Sequence, residues 1–292
     1  MVLLKQKKIS PKHLVSLRNI TDLSFIDTSS GLRLGSGVTH ADIDANDTIR
    51  RHYTALTDAT GNLGSCQIRN VATIGGNICN AAPSADTACP LLVLDALVRI
   101  AGPEGEREIP IDEFFLGPGT TSLKYGELVR EFVIPNTGDD TGSAYIKHTR
   151  RKAMDLPLLG VATCVTISIG KNGGGLRCRD MTWTAENIST LLAQFEDEDL
   201  RCNAAKIAMG VVAPRPVRAK KAEAALAGNV LSERLLEEVG EIAASEAAPR
   251  DSLRGEGWYR KEMVKVLVKR AVMRSIDRVL RPDNVAYPER IY

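Results

Sequence analysis

The alternation of apolar and polar positions divides the chain into a mixed first part and a second part in which strands precede helices. In the first third, residues 13–17 and 32–37 read as short strands, Thr39 is placed to cap a helix beginning at His40, and a further helical stretch runs from Thr48 towards Asp58. Two β runs, 97–100 and 108–111, flank Gly102, Pro103, Glu104 and Gly105, the pattern of a hairpin. Another strand, 128–134, stops at Pro135, and the stretch NTGDDTG that follows has linker composition. This places one domain at residues 1–137 and a second at 141–292. In the second, 144–149, 160–169 and 205–212 are β-rich. Three helices follow: one from about Pro216 to Gly228, one after Ser232 burying Leu235, Leu236, Val239 and Ile242, and one from about Trp258 to Val279. The last spaces Met263, Val264, Leu267, Ala271 and Val272 at helical period. Strands followed by a run of helices predict an α+β class rather than a wound parallel sheet.

Composition narrows the function. At 292 residues two domains are the default, and 43% hydrophobic with 25% charged residues is ordinary for a globular protein. A net charge of +2, with no basic stripe interleaved with aromatics, gives no support to nucleic-acid binding. No apolar run approaches the ~20 residues of a membrane span. The opening MVLLKQKKIS reverses the order of charge and apolar residues in a secretory signal. Cys66, Cys79, Cys89, Cys164, Cys178 and Cys202 are scattered without a CxxC pair, which predicts free thiols in a reducing compartment and a cytoplasmic location. A metal cluster of Cys66, Cys79 and Cys89 is the weaker reading, because Cys79 and Cys89 flank a segment with its own chemistry.

That segment is RNVATIGGNICNAAPSADTA, residues 69–88. Gly75 and Gly76 let a backbone approach an anion with no Cβ in the way, and successive amides there can point at phosphate oxygens. Thr73 and Asn77 add side-chain donors. Ser84 is the expected N-cap of an apolar helix whose first turn holds Asp86, an acceptor suited to sugar or ribityl hydroxyls. For a bare GG pair, the competing reading is a tight turn with Asp86 as a helix cap. In AYIKHTRRKAMDLPLL, residues 144–159, Lys147, Arg150, Arg151 and Lys152 taken alone are a solvated basic face. His13, His40, His52 and His148 show no nucleophile or metal spacing. A nicotinamide-binding wound fold fails because no GxGxxG joins a strand to a helix.

The whole strings carry more. ATIGGNI followed by PSADTA resembles the second flavin-binding motif of molybdenum hydroxylase flavin subunits of the xanthine dehydrogenase and carbon monoxide dehydrogenase type, and LGSCQIRNV resembles the lead-in to it. The resemblance implies a PCMH-type FAD-binding domain, without its N-terminal part, followed by a CO dehydrogenase flavoprotein C-terminal-like domain of small β-sheet plus helices. It implies that Thr73, Ile74, Gly75, Gly76 and Asn77 hold the FAD pyrophosphate and ribityl region and that Asp86 makes a polar contact to the cofactor. The 144–159 stretch resembles the Y-x-K-x-x-R-x-x-x-D opening of the family's C-terminal domain, which makes Lys147 a flavin contact favouring the anionic reduced ring. Leu156 stands where some relatives carry an aromatic over the flavin. ELVREFVIP resembles the strand closing the flavin domain, which sets Val129 on the adenine side. IAMGVVAPRPVRAKKAE and WYRKEMVKVLVKRA resemble C-terminal domain signatures. The implied function is electron transfer: a large molybdopterin-binding subunit oxidises substrate, a small 2Fe-2S subunit relays electrons, and FAD on this chain passes them to NAD or another carrier.

Two departures stand against that pattern. The family's AGGTDL-like first loop lies upstream of a stretch resembling LLKQKKISPKHLVSL, which here is the start of the chain, and DMTWTAENISTLLAQFEDEDL (180–200) replaces a short turn with an insertion whose acidic residues 196–199 are expected to face solvent. A flavin-free structural subunit is therefore the second reading, and the colour of the purified chain separates the two. The chain from Met1 is expected to bind FAD weakly, and adding an AGGTDL-type segment upstream is expected to raise affinity steeply, at ~1.5–3 kcal/mol for each charge-assisted bond regained. A flavin titration of both forms measures this, and tight stoichiometric FAD on the chain as given contradicts it.

Overall fold

A computed structural model describes residues 2–151, 153–170 and 200–282, so Lys152, Cys178 and the 180–199 part of the expected insertion lie outside the described residues. The first domain is built on an antiparallel sheet of β1 (Ile26–Asp27), β2 (Leu32–Gly35), β3 (Leu97–Gly102), β4 (Gly105–Pro110) and β7 (Leu128–Ile134), ordered β1-β2-β7-β3-β4. Between β4 and β7, β5 (Phe115–Gly117) and β6 (Thr120–Thr121) pair separately. The expected hairpin forms around Gly105, whose φ of +116° is open to glycine. In β7, the buried carboxylate of Glu131 is satisfied by strands on both sides, taking Arg99 Nη1 at 2.8 Å and Arg33 Nε at 2.9 Å.

Two expectations for this domain change. Residues 13–17 make no ladder, and Leu14, Val15 and Leu17 are exposed, since β propensity without a paired neighbour does not make a strand. The helical stretch from Thr48 is two helices, Asp47–His52 and Thr54–Gly61, broken at Tyr53, where φ is −123°. Thr39 caps helix His40–Ala45 as expected, in a capping box closed by Asp42.

The second domain is an antiparallel sheet of β8 (Thr141–His148), β9 (Leu159–Ile169), β10 (Leu200–Gly210) and β11 (Val217–Arg218), ordered β11-β10-β9-β8, with helices Lys220–Leu226, Glu233–Glu246 and Gly257–Leu280. The first helix starts later than the sequence suggests because Val217 and Arg218 pair with Met209 and Ala208 as β11. Ser232 caps the second by accepting Leu235 N at 3.1 Å; Leu236 and Val239 are fully buried, whereas Leu235 and Ile242 are only partly so. No helix among the described residues is long and apolar enough to cross a membrane.

This sheet is covered on both faces. In β9, Leu159, Val161, Val165 and Ile167 pack with the helices, while Ala162 and Cys164 join the core of the first domain, so burial is nearly continuous rather than alternating. In β10 a register shift between Cys202 and Ala204 changes the parity: Leu200 and Cys202 face the helices before it, Ile207 and Met209 after it, and Ala208 faces the first domain. The face turned to the first domain is thus lined by small residues.

Where the domains meet, Asp58 of helix Thr54–Gly61 is 1% exposed and accepts both Nη1 and Nη2 of Arg278 at 2.7 Å, together with Tyr145 N at 2.9 Å. Arg278 Nη1 also donates to Ser143 O at 2.6 Å. The last helix therefore clamps the start of β8 to the first domain. Arg278→Met keeps the stem but strands a buried carboxylate, which is expected to cost ~3–5 kcal/mol in urea unfolding. A loss below ~1 kcal/mol, the scale of an exposed pair, contradicts a clamp.

Candidate functional site

The glycine segment folds as a short helix, Ile74–Cys79, entered through Thr73. Its first amides are all engaged within the protein: Ile74 N with Val38 O at 3.0 Å, Gly75 N with Ser36 O at 2.9 Å, Gly76 N with Thr73 Oγ1 at 3.1 Å and Asn77 N with Thr73 O at 3.0 Å. Docking this helix on the end of β2 and capping it engage those donors. The two glycines also separate in role. A Cβ on Gly75 would lie 2.6 Å from Ser36 O, so Gly75 serves the close approach of helix to strand. Gly76 is exposed, and a Cβ there meets only Thr73 Oγ1, at 3.2 Å. What the segment presents outward is side-chain chemistry: the Thr73 hydroxyl, and the Asn77 amide, whose Oδ1 takes the Thr87 hydroxyl at 2.7 Å while its Nδ2 has no partner among the described residues.

Thr87 ties this helix to Asp86. The apolar helix begins later than expected, at Ala88–Val93, so Asp86 precedes it and Ser84 does not cap it. Asp86 is 4% exposed, and both of its oxygens are held from β8: Oδ1 by the Tyr145 hydroxyl at 3.0 Å and Oδ2 by Lys147 Nζ at 2.9 Å. Lys147 Nζ also donates to Asn62 O, at 3.1 Å. Tyr145 and Lys147 stand two residues apart on one strand, so they share a face. Burial pushes the Asp86 carboxyl up, opposed by the Lys147 charge and the two hydrogen bonds. Burial and the neighbouring Asp86 hold the Tyr145 phenol well above its ordinary range, so it stays protonated as a donor.

The structure thus joins Asp86 with Lys147 directly, and links both to Asn77 and Thr73 through Thr87. Ile74 and Val129 are different: both side chains lie in the first core, leaving only their backbones for a ligand. Leu156 is exposed on the β8–β9 loop, which Asp155 closes by accepting Leu156 N at 3.0 Å and Arg151 N at 3.3 Å. Tyr145, Thr87 and the Asn62 carbonyl were missed by sequence reasoning; the Y-x-K spacing was the signal for the first. A cavity of about 220 Å³ lies elsewhere, at the linker, lined among others by Asp95, Asn136, Cys164 and Lys206, and none of the expected site residues reaches it.

Residues 1–137 match the family described as the FAD binding domain in molybdopterin dehydrogenase, and residues 144–275 match the CO dehydrogenase flavoprotein C-terminal domain. The chain belongs to the family of FAD-binding subunits of molybdenum hydroxylases: it is an oxidoreductase subunit whose cofactor is FAD. It is 32% identical to the xanthine dehydrogenase FAD-binding subunit of Escherichia coli O157:H7, over 91% of this chain and 82% of that one. It is 30% identical to the glyceraldehyde dehydrogenase medium chain of Sulfolobus acidocaldarius, over 92% and 85%. Reconstituted CO dehydrogenase from Oligotropha carboxidovorans contains a chain of similar structure, with a TM-score of 0.80, 27% identity and coverage of 95% and 86%. The flavin-free alternative is not favoured by these matches.

The two glycines give a paired prediction. Gly75→Ala is expected to destabilise the fold by ~1–3 kcal/mol through overpacking against Ser36. Gly76→Val is expected to leave thermal unfolding near that of the unmodified chain while flavin content falls, because its side chain projects in front of Thr73. Unchanged flavin in a folded Gly76→Val protein removes the Thr73–Asn77 face from the site.

Proposed function

We propose that this chain holds FAD against the Asp86–Lys147 joint. In a cytoplasmic complex with a large molybdopterin-binding subunit and a small 2Fe-2S subunit, it passes electrons from iron–sulfur clusters through FAD to NAD or another acceptor. When bound, FAD supplies a ring that stores two electrons and hands them on. The free Cys66, Cys79, Cys89, Cys164 and Cys202 support a reducing compartment.

The observation that carries the reading is the set of valences left over at the joint. An ammonium has three donors, and among the described residues Lys147 uses two, on Asp86 and Asn62, which leaves one N–H for a ligand. Asp86 Oδ1 takes the Tyr145 hydroxyl and Oδ2 the Lys147 ammonium, and each keeps a lone pair for a ribityl hydroxyl. Thr73 Oγ1–H and Asn77 Nδ2 supply donors for pyrophosphate oxygens at the adjoining helix. Donors for the anionic end and a mixed donor–acceptor pair for the polyol and ring suit the chemistry of FAD. Ile74, Gly75 and Val129 support the cradle from behind, with Val129 on the adenine side.

Lys147 favours added negative charge on the ring, and Asp86, 2.9 Å from its ammonium, opposes it. Lys147→Met is therefore expected to lower the flavin two-electron potential, by ~30 mV if the interaction differs by ~1.4 kcal/mol between redox states. Asp86→Asn is expected to move it the other way. Redox titration of the flavin-loaded proteins reads both signs. Potentials equal to that of the unmodified protein remove the pair from the ring's surroundings.

A further inference from the structure

We propose that Tyr145 is a positioning residue of the flavin site: its phenol fixes the Asp86 carboxylate in the charged form and in the orientation that Lys147 and the cofactor both require. This rests on the reading of Asp86 and Lys147 as the flavin joint and adds to it a group that touches neither pyrophosphate nor ring.

Three observations carry the assignment. First, Tyr145 is 2% exposed and its hydroxyl is 3.0 Å from Asp86 Oδ1, so this oxygen has a buried donor supplied by the protein itself. Second, the sheet is shaped for that contact. Gly160 on β9 lies opposite Lys147, and a Cβ there would be 2.6 Å from the Tyr145 hydroxyl, so any side chain would push the phenol off Asp86. Third, the backbone of Tyr145 is itself fixed, because Tyr145 N donates to Asp58 Oδ2 at 2.9 Å and Asp58 is held by Arg278. A chain of contacts thus runs from the last helix through Asp58 and Tyr145 to Asp86 and Lys147.

Among the described residues, the titratable and charged groups facing Asp86 are Tyr145 and Lys147 from β8 and Cys89 from helix Ala88–Val93. Asp58 and Arg278 stand behind Tyr145 as a closed pair. Burial pushes the Cys89 thiol up, so it stays neutral, and Lys147 and Tyr145 are the groups that hold the Asp86 charge against desolvation. Asp86 serves Lys147 and a ligand hydroxyl as a carboxylate, so affinity is present above its titration and lost as pH falls through it. Removing the phenol removes one influence that lowers its pKa, so the loss must begin at higher pH.

The test is FAD affinity from flavin fluorescence on the full chain, followed from about pH 8.5 down to the acid limit at which the chain still folds. Tyr145→Phe keeps the ring and deletes the hydroxyl; Gly160→Ala keeps the hydroxyl and displaces it. Both are expected to bind about threefold more weakly at the alkaline end and more than about tenfold more weakly at the acid end, the scale of one hydrogen bond to a charged group. A constant ratio across the range, or no change, overturns the proposal, since simple loosening of the fold does not follow a titration. If Tyr145→Phe does not fold, Gly160→Ala decides alone. Asp86→Asn and Lys147→Met are titrated alongside. If these bind FAD like the unmodified chain, the joint reading fails and Tyr145 falls with it. If they weaken binding while Tyr145→Phe and Gly160→Ala do not, only the role of Tyr145 is lost.

Discussion

Two carboxylates taken out of water at one seam govern this molecule. Asp58 and Asp86 belong to the first domain, yet the cations that make their burial tolerable, Arg278 and Lys147, come from the second. An ionised carboxylate in a low-dielectric interior is stable only with charge and hydrogen bonds close by. Neither domain supplies those partners alone. Docking is therefore specified by charge as well as by shape, and the arrangement of β8 follows from it: Ser143, Tyr145 and Lys147, on one face, each meet a group of the first domain.

Close approach is the second half of the constraint. The short reach between Asp86 and Lys147 requires the loop before helix Ala88–Val93 to lie almost on the second sheet. The face it meets is lined by Gly160, Ala162, Ala208 and Gly210, with Val211 N donating to Pro83 O at 3.2 Å. Apart from Tyr145, the large apolar side chains of this sheet lie on the other face, where the helices cover them. The sheet thus works as a partition, with large apolar side chains packed on its helical side and the candidate site on its small-residue side.

Much of this was legible in the chain. The α+β class, β7, the cap at Thr39 and the helix start after Ser232 were readable because each depends on a few adjacent residues. The candidate site residues on the two strings were proposed by resemblance, and the Y-x-K spacing already put two polar side chains on one strand face. Other features depend on distant partners. The engaged amides of Gly75 and Gly76 answer to Ser36 and Thr73, the late start of helix Ala88–Val93 leaves Asp86 free for β8, and the delay of helix Lys220–Leu226 reflects pairing with β10. The pairing of Asp86 with Lys147 joins residues 61 positions apart, and nothing local announces it.

The central claim is that Asp86 and Lys147 act on FAD as one unit. A double-mutant cycle on the FAD dissociation constant, with Lys147→Met, Asp86→Asn and the two combined, measures this most directly. The account predicts strong non-additivity, a coupling of ~1.5–3 kcal/mol, with the combined variant binding no worse than the weaker single one. Effects that add to within ~0.5 kcal/mol would show two independent residues and contradict the account.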